Sequence, residues 1–254
     1  MRKFGLIGYP LGHSFSKKYF TEKFQDENIP DCSYENFPLK SIEELSRLLT
    51  SETDLCGLNV TIPYKTEVIK FLNSISPEAR EIGAVNVIRI TRKGRMALLS
   101  GYNSDVTGFT DSLLPYLKKR SGNALVLGTG GSSKAVCYAL EKIGINVTLV
   151  SRNSKPGTIA YSGIDENLIR NTDLIVNSTP LGMFPNVESK PELNYNLLNE
   201  RHILYDLVYN PDLTAFLKEG KERGCVTISG YMMLRLQAEK AWEIWNEECL
   251  EFLE

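Results

Sequence analysis

The sequence LVLGTGGSSKA, residues 125–135, places a glycine-rich turn between an apolar run and the start of a helical pattern. Gly128 permits a tight turn, and Gly130 lacks the side chain that would keep a ligand away from the backbone. Ser133 stands where the G-x-G-x-x-G pattern has its third glycine, and it is small enough for close helix packing. The first N–H groups of a helix carry partial positive charge, so this unit suits a pyrophosphate. An ordinary βα turn is the alternative, but the strand before and the helix after favour a nucleotide site.

The segment TLVSRNSK, residues 148–155, indicates which nucleotide would bind. NAD sites carry a carboxylate near the end of the second strand, where it holds the ribose 2′-hydroxyl. Here the segment offers Ser151, Arg152, Asn153 and Lys155. Arg152 can bind a 2′-phosphate through two hydrogen bonds, and Lys155 adds positive charge. A basic surface loop is the alternative; after the glycine-rich turn, the segment predicts NADP.

Short apolar runs around this unit alternate with helical or irregular connections, which predicts a doubly wound, Rossmann-type sheet. The predicted strands are NALVLG (123–128), NVTLVS (146–151), DLIVNS (173–178), HILYDLV (202–208) and CVTIS (225–229). The predicted helices are SDVTGFTDSLLPYLKKR (104–120, with Ser104 or Asp105 as N-cap), TGGSSKAVCYALEKIG (129–144) and YMMLRLQAEKAWEIWNEECLEFL (231–253).

The first hundred residues also alternate strand and helix patterns, which predicts βαβ units on a mostly parallel sheet. The predicted strands are FGLIGY (4–9), CGLNV (56–60) and a hairpin of VNVIRI (85–90) and MALLS (96–100), joined at Lys93–Gly94. The helical patterns are Phe15, Tyr19, Phe20 and Phe24, then SIEELSRLL (41–49) and YKTEVIKFL (64–72). We therefore predict an α/β protein of two domains, residues 1–103 and 104–230, followed by a C-terminal helix.

Composition narrows the class of partner. The chain of 254 residues has 42% apolar and 24% charged residues, which is typical of a soluble globular protein. Its 29 basic and 31 acidic residues form no sustained run of one sign, so we expect a small-molecule ligand rather than nucleic acid or a membrane surface. The five scattered cysteines contain no C-x-x-C pair, which argues against a disulfide framework or a zinc site. The apolar runs are too short for a signal peptide or a membrane span, and we predict a cytoplasmic protein.

Polar side chains recur at the predicted strand ends, where open α/β sheets bind ligands. Ser14 and Ser16 follow the first strand two residues apart, so both hydroxyls could meet one carboxylate, although Ser16 could instead cap the next helix. Lys65 follows the run GLNV closely, Asn86 precedes a strand, and Asp105 begins the second domain. Each alone would suggest a turn or a cap; together they predict a binding site.

The chain resembles the shikimate dehydrogenase family in eight segments that follow the family's order and spacing over nearly the whole length. The segments are GYPLGHSFS, GLNVTIPYK, GAVNVI, GYNSDVTG, GTGGSSKA, NSTPLGM, YDLVYNPDLTAFL and SGYMMLRLQA. The resemblance implies reversible, NADP-dependent reduction of 3-dehydroshikimate to shikimate, on the route to chorismate and the aromatic amino acids. It also implies a substrate-binding domain at residues 1–103, an NADP-binding domain at 104–230, and a cleft between them.

The resemblance assigns roles to individual residues. Lys65 and Asp105 would form the catalytic pair, either of which could carry the proton while hydride reaches the C3 carbonyl. The substrate contacts would be Ser14, Ser16, Thr61, Lys65, Asn86, Asp105, Tyr209 and Gln237. The cofactor contacts would be Gly128, Thr129, Gly130, Gly131, Ser132, Ser151, Arg152, Asn153, Lys155, Leu207 and Gly230. The helix 231–254 would pack back on the first domain and bring Gln237 into the cleft, in a monomer or a homodimer.

The chain departs from the family pattern at Lys17 and Phe20, where proline and histidine are common, and at Met232 and Arg235 near the expected nicotinamide pocket. Three other functions stay open. A quinate/shikimate dehydrogenase would use NAD, which the absence of an acid beside Arg152 disfavours. A folate dehydrogenase of the bifunctional type is disfavoured by the paired serines. A catalytically inactive NADP or shikimate sensor is disfavoured by retention of both Lys65 and Asp105.

Overall fold

The computed structural model describes residues 1–11, 15–94, 96–117, 122–153 and 155–247. The chain divides into two compact units, one formed by Met1–Ser104 together with the segment from Ala238 and the other by Asp105–Gln237. Within the described ranges, each unit is built on one six-stranded sheet with helices. The predicted fold class of two α/β domains is confirmed.

The first unit has the mostly parallel sheet that the sequence predicts. Its strand order is β2-β1-β3-β5-β6-β4, and in the described chain only β5 runs against its neighbours β3 and β6. The strands are β1 (Arg2–Gly8), β2 (Cys32–Pro38), β3 (Leu55–Val60), β4 (Ser74–Ile75), β5 (Val87–Lys93) and β6 (Met96–Tyr102). The helices are α1 (Phe15–Asp26), α2 (Leu45–Ser51), α3 (Pro77–Ile82) and the 3₁₀ turns Ile42–Glu44 and Glu67–Phe71.

Two segments of this unit differ from the sequence predictions. Strand β2 was not predicted, because Ser33, Glu35 and Asn36 interrupt its apolar residues. It pairs in parallel with β1, and its Tyr34 is buried opposite Phe4. The helix predicted over 64–72 is wrong as an α-helix, since only a five-residue 3₁₀ helix forms there. Tyr64 and Val68 enter the core four residues apart, and the chain must then turn to supply β4.

The second unit has the strand order β12-β11-β10-β7-β8-β9, with every pair parallel. This is the order 3-2-1-4-5-6 of a Rossmann sheet, in which the order reverses between the first and fourth strands, here β7 and β10. The strands are β7 (Gly122–Leu127), β8 (Ile145–Ser151), β9 (Ile159–Ala160), β10 (Leu174–Asn177), β11 (Ile203–Asp206) and β12 (Val226–Ile228). The helices are α4 (Asp105–Leu113), α5 (Gly131–Lys142), α6 (Glu166–Arg170), α7 (Ala215–Glu222), α8 (Tyr231–Asn246) and the 3₁₀ turns Leu114–Tyr116, Tyr161–Gly163 and Tyr195–Leu197.

Two predicted helices extend into residues that the structure does not describe. The pattern over 104–120 gives α4 and a 3₁₀ turn up to Tyr116, while 118–120 lie outside the described residues. The pattern over 231–253 gives α8, and 248–253 also lie outside the described residues.

The second half of α8 belongs to the first unit and packs there on an aromatic cluster. The Trp245 ring stacks on Phe4 with ring centroids 4.8 Å apart, and its indole N–H donates to the Ile88 carbonyl at 3.0 Å. Glu239 forms an ion pair with Lys23 of α1, with 2.8 Å between Oε2 and Nζ. Apolar burial and this ion pair therefore attach the second half of α8 to β1 and α1.

Candidate active site

The glycine-rich turn lies at the carboxyl end of β7, where the strand order reverses. Gly128 has φ +110°, and a Cβ atom there would stand 2.9 Å from Ser178 Oγ and 3.1 Å from Thr179 Cγ2. Only glycine fits this conformation and this contact. The Gly128 N–H donates to the Val150 carbonyl at 2.9 Å, so the turn is fixed against β8.

Ser133 organises the start of α5. Its hydroxyl accepts from the Gly130 N–H at 3.0 Å and lies 2.8 Å from Ser178 Oγ. Ser178 gives its own proton to the Leu127 carbonyl at 2.6 Å, so Ser133 is the donor in the serine pair. The sequence predicts Ser133 only as a residue small enough for close helix packing. Its hydroxyl also connects the start of α5 to the ends of β7 and β10.

The turn suits a pyrophosphate. A Cβ atom on Gly130 would meet nothing within 4 Å, so the space over the turn is open among the described residues. Thr129 and Gly130 are exposed, while Gly131 and Ser132 form the partly exposed first turn of α5. Helix N–H groups at this point give a binding site for anionic oxygens.

The end of β8 carries the residues predicted to select the nucleotide. Ser151 is buried, whereas Arg152, Asn153 and Lys155 are exposed. The Lys155 N–H donates to Thr158 Oγ1 at 3.0 Å, which closes a turn after the strand. Two cations with no carboxylate among these residues are the donor set that a 2′-phosphate requires.

A buried carboxylate lies at the end of β11. Asp206 is fully buried, and it accepts from Asn177 Nδ2 at 2.9 Å, the Val208 N–H at 3.0 Å and Thr214 Oγ1 at 2.6 Å. Burial raises the pKa of Asp206 to about 6, and these three hydrogen bonds oppose the rise. This group was not predicted as part of a site.

Leu207 and Gly230 contact each other closely. A Cβ atom on Gly230 would lie 2.6 Å from the Leu207 carbonyl carbon and 3.0 Å from the Asp206 carbonyl oxygen. The Leu207 carbonyl oxygen would be the nearest atom of all. The Gly230 N–H donates to the Val208 carbonyl at 3.2 Å. Tyr209 follows two residues after Leu207 and is half-buried, and burial raises the pKa of its phenol.

Asp105 and Gln237 lie on two helices that approach closely within the second unit. Asp105 is the buried first residue of α4, and Gln237 is a buried residue of α8 that donates to the Leu234 carbonyl at 2.9 Å. A Cβ atom on Gly108 would stand 2.7 Å from the Met233 carbonyl oxygen and 3.0 Å from the Gln237 N–H nitrogen. Glycine at 108 therefore permits the close packing of α4 on α8.

In the first unit, Thr61 and Lys65 lie in the turn after β3. The Thr61 N–H donates to the Ile7 carbonyl at 2.9 Å, and the Lys65 carbonyl accepts from the Val85 N–H at 2.7 Å. The Ile62–Pro63 peptide between them is cis. These backbone hydrogen bonds hold Thr61 and Lys65 at the carboxyl end of the strand, where both residues are half-buried.

Ser16 and Asn86 belong to one buried polar network. Tyr34 donates to Asn59 Oδ1 at 2.7 Å, so Ser16 is the donor in its hydrogen bond with Tyr34. Asn59 Nδ2 donates to the Asn86 carbonyl at 3.5 Å. Asn86 Nδ2 donates to Ser104 Oγ at 3.0 Å, and the Ser104 N–H donates to Asn86 Oδ1 at 2.7 Å. The network joins α1, β2, β3 and the segment before α4. Ser14, predicted as the partner of Ser16, lies outside the described residues.

Sequence reasoning missed the roles of Tyr34, Asn59, Asn177 and Asp206 because their partners are distant in the chain. Asn177 ends β10 and Asn59 is the last residue but one of β3, in segments that carry the family resemblance, and that position was an available signal. Within the described part of the chain, no group of three or more His, Cys, Asp or Glu residues is placed to hold a metal ion, and no helix has the length and apolarity needed to cross a membrane.

Comparisons with known proteins agree over nearly the whole chain. Residues 6–88 match the family of the shikimate dehydrogenase substrate binding domain. The protein named shikimate dehydrogenase (NADP(+)) from Clostridium beijerinckii is 39% identical over 97% of this chain and 93% of its own. The one so named from Methanococcus aeolicus is 37% identical over 95% and 91%. A solved structure of the shikimate 5-dehydrogenase of Thermus thermophilus, in complex with NADP(H) and shikimate, matches with a TM-score of 0.84 and 31% identity over 97% of this chain and 94% of that one. The chain belongs to the shikimate dehydrogenase family.

Proposed function

We propose that this protein catalyses the reversible, NADP-dependent reduction of 3-dehydroshikimate to shikimate. The observation that carries the proposal is similarity over nearly the full length to proteins named for this activity, at up to 39% identity among the relatives given above. The Rossmann order of the second sheet and its glycine-rich switch-point turn support the same reading.

We assign cofactor binding to residues 104–230 and substrate binding to residues 1–103. The turn from Gly128 to Ser132 would hold the pyrophosphate, since glycine leaves the backbone N–H groups accessible. Ser151, Arg152, Asn153 and Lys155 would bind the adenosine end, where the two cations match a 2′-phosphate. Leu207 and Gly230 would line the nicotinamide side. When bound, NADPH supplies the hydride for the reduction.

We assign Lys65 and Asp105 as the catalytic pair. An ammonium group can give a proton to the alkoxide that develops when a carbonyl accepts hydride, and its charge stabilises that oxygen. Asp105 would orient the ammonium or share its proton. The remaining polar side chains would hold the carboxylate and ring hydroxyls of the substrate: Ser14, Ser16, Thr61, Asn86, Tyr209 and Gln237.

Turnover with purified protein tests this function directly. We expect NADPH oxidation with 3-dehydroshikimate, NADP reduction with shikimate, and much lower rates with NADH or quinate. A preference for NADH and quinate would replace the proposal with the NAD-dependent alternative. Thermal stabilisation by shikimate and NADPH without turnover would indicate a sensor.

Lys65→Ala tests the catalytic assignment. We expect kcat to fall by about 10²- to 10⁴-fold with little change in the KM for shikimate, as for loss of a general acid. Lys70→Ala is the matched control, since Lys70 is an exposed lysine of the same unit, and it should retain wild-type kcat. Wild-type kcat in Lys65→Ala would exclude the role.

We further propose that the protein works in the cytoplasm as a monomer or homodimer and does not bind nucleic acid. The near balance of 29 basic and 31 acidic residues supports the last point. Light scattering with and without DNA would test the mass and this absence of binding.

A further inference from the structure

One carboxylate connects three segments at the ligand-facing edge of the second sheet. Asp206 Oδ1 accepts from Asn177 at the end of β10 and from the Val208 N–H in the loop after β11. Its Oδ2 accepts from Thr214, the N-cap of α7. The Thr214 hydroxyl in turn accepts from the Leu217 N–H at 3.3 Å. The three hydrogen bonds to the carboxylate thus come from the end of β10, from the loop after β11 and from the start of α7.

The burial of this group is costly for stability alone. A fully buried carboxylate loses its hydration. Among the described residues no cation lowers the pKa of Asp206, which burial raises and the three hydrogen bonds lower. An asparagine or an apolar side chain would avoid that cost. What the carboxylate provides is several strong acceptors at one point, which fix the relative position of the segments that donate to it.

The segments held in this way carry residues of the proposed cofactor site. Leu207 lies between Asp206 and Val208, and its N–H donates to the Asn177 carbonyl at 2.9 Å. Its carbonyl packs against Gly230 so closely that no Cβ atom fits between them. A shift of the loop after β11 would therefore move Leu207 and Gly230 together.

We propose that Asp206 is a positioning residue for cofactor binding, which holds the loop after β11 in the geometry that receives NADP(H). The inference rests on the proposed function, since it deepens the assignment of Leu207 and Gly230 to the cofactor. Loss of the carboxylate should weaken NADPH binding more than it slows turnover at saturation, because Asp206 itself is buried beneath the loop and touches no reacting atom.

The test compares variants along the same chain of hydrogen bonds. In Asp206→Ala we expect the Kd for NADPH, from fluorescence titration, to rise by about 10-fold or more, with kcat changed less than the Kd. Asp206→Asn, which keeps the Oδ1 acceptor, should show a smaller rise. Thr214→Val should also weaken NADPH binding, and Thr214→Ser, which restores the hydroxyl, should return the Kd to within about twofold of wild type.

Tyr205→Phe is the matched control. Tyr205 is the buried neighbour of Asp206 on β11, and its hydroxyl bonds to Ser112 at 2.6 Å, away from the loop. This variant should lose stability yet bind NADPH like the wild type. A Kd within twofold of wild type in folded Asp206→Ala and Thr214→Val would overturn the proposal, and so would an equal loss of affinity in Tyr205→Phe.

Two further comparisons separate failure of the positioning role from misfolding and from failure of the proposed function. If Asp206→Ala does not fold, the comparison of Thr214→Val with Thr214→Ser decides, since equal affinities in that pair would refute the positioning role. A wild-type protein that binds NADPH but turns nothing over would refute the proposed function, while the titrations would still test Asp206. An active wild type with unchanged binding in the variants would refute this inference alone.

Discussion

Gly57→Ala should destabilise the first unit through a single side chain of α8. Gly57 lies on β3 beneath Trp245, and a Cβ atom there would stand 2.5 Å from Cδ1 and 2.7 Å from Cε2 of the indole, and closer still to Nε1. Carbon atoms at optimal contact are about 3.5 to 4.0 Å apart, so the ring would have to move by about 1 Å. The indole N–H would then lose its 3.0 Å hydrogen bond to the Ile88 carbonyl.

The cost has two parts. Inserting a methyl group into a packed core costs about 1 to 3 kcal/mol. Loss of one hydrogen bond from the buried indole, which is 5% exposed, adds about 1 kcal/mol. We therefore expect Gly57→Ala to lower the free energy of unfolding by about 2 to 4 kcal/mol.

Tryptophan fluorescence during urea unfolding measures this effect, because the chain has 2 tryptophans and both lie on α8. Trp245→Phe removes part of the obstructing ring, so the loss caused by Gly57→Ala should shrink by about 1 kcal/mol or more in the double variant. Gly163→Ala is the control, since its Cβ atom would meet Ile159 only at an ordinary 3.8 Å. Unfolding of Gly57→Ala within about 0.5 kcal/mol of wild type would refute the packing argument.

Three further outcomes follow from the same structure. Gly230→Ala should raise the Kd for NADPH by about 10-fold or more in a titration, because its new Cβ atom would strike the Leu207 carbonyl, a backbone group that cannot move alone. Tyr34→Phe should cost about 1 to 3 kcal/mol in urea unfolding, because Asn59 Oδ1 loses a buried donor. For Asp206, burial raises the pKa from 3.8 to about 6, so the folded state binds the proton more tightly and this group's contribution to stability is lost as pH rises towards 6. From pH 4.5 to pH 7, the free energy of unfolding of wild type should therefore fall by about 2 kcal/mol relative to that of Asp206→Asn. Urea unfolding at the two pH values measures this difference, and parallel pH profiles of the two proteins would contradict the reasoning.

The parts of the fold that local pattern encodes were predictable. The turn from Gly128 to Ser133 was recognised because the residues that shape it are adjacent in the chain. The hairpin of β5 and β6 was predicted for the same reason, since its strands and its turn are continuous. Strand β2 was not, because polar residues interrupt its apolar ones and its place in the sheet depends on pairing with β1.

The polar networks lay beyond prediction for a related reason. Asp206 follows an apolar run, as many turn residues do, and its partner Asn177 lies 29 residues earlier. Tyr34 and Asn59 are 25 residues apart and become neighbours only when β2 and β3 flank β1. Sequence pattern places a polar residue at the end of a strand; the order of the strands decides which other strand end it meets.

The two networks also respond differently to pH, and the difference follows from their chemistry. The network in the first unit consists of hydroxyl and amide groups, and burial raises the pKa of the Tyr34 phenol, so it stays neutral at physiological pH. The network in the second unit centres on Asp206, whose pKa of about 6 lies within reach of mild acid. Protonation would turn one acceptor of Asp206 into a donor and leave Thr214 to rearrange. A pH below 6 should therefore change which groups donate to Asp206 and which accept from it, while the polar network around Ser16 keeps its hydrogen bonds.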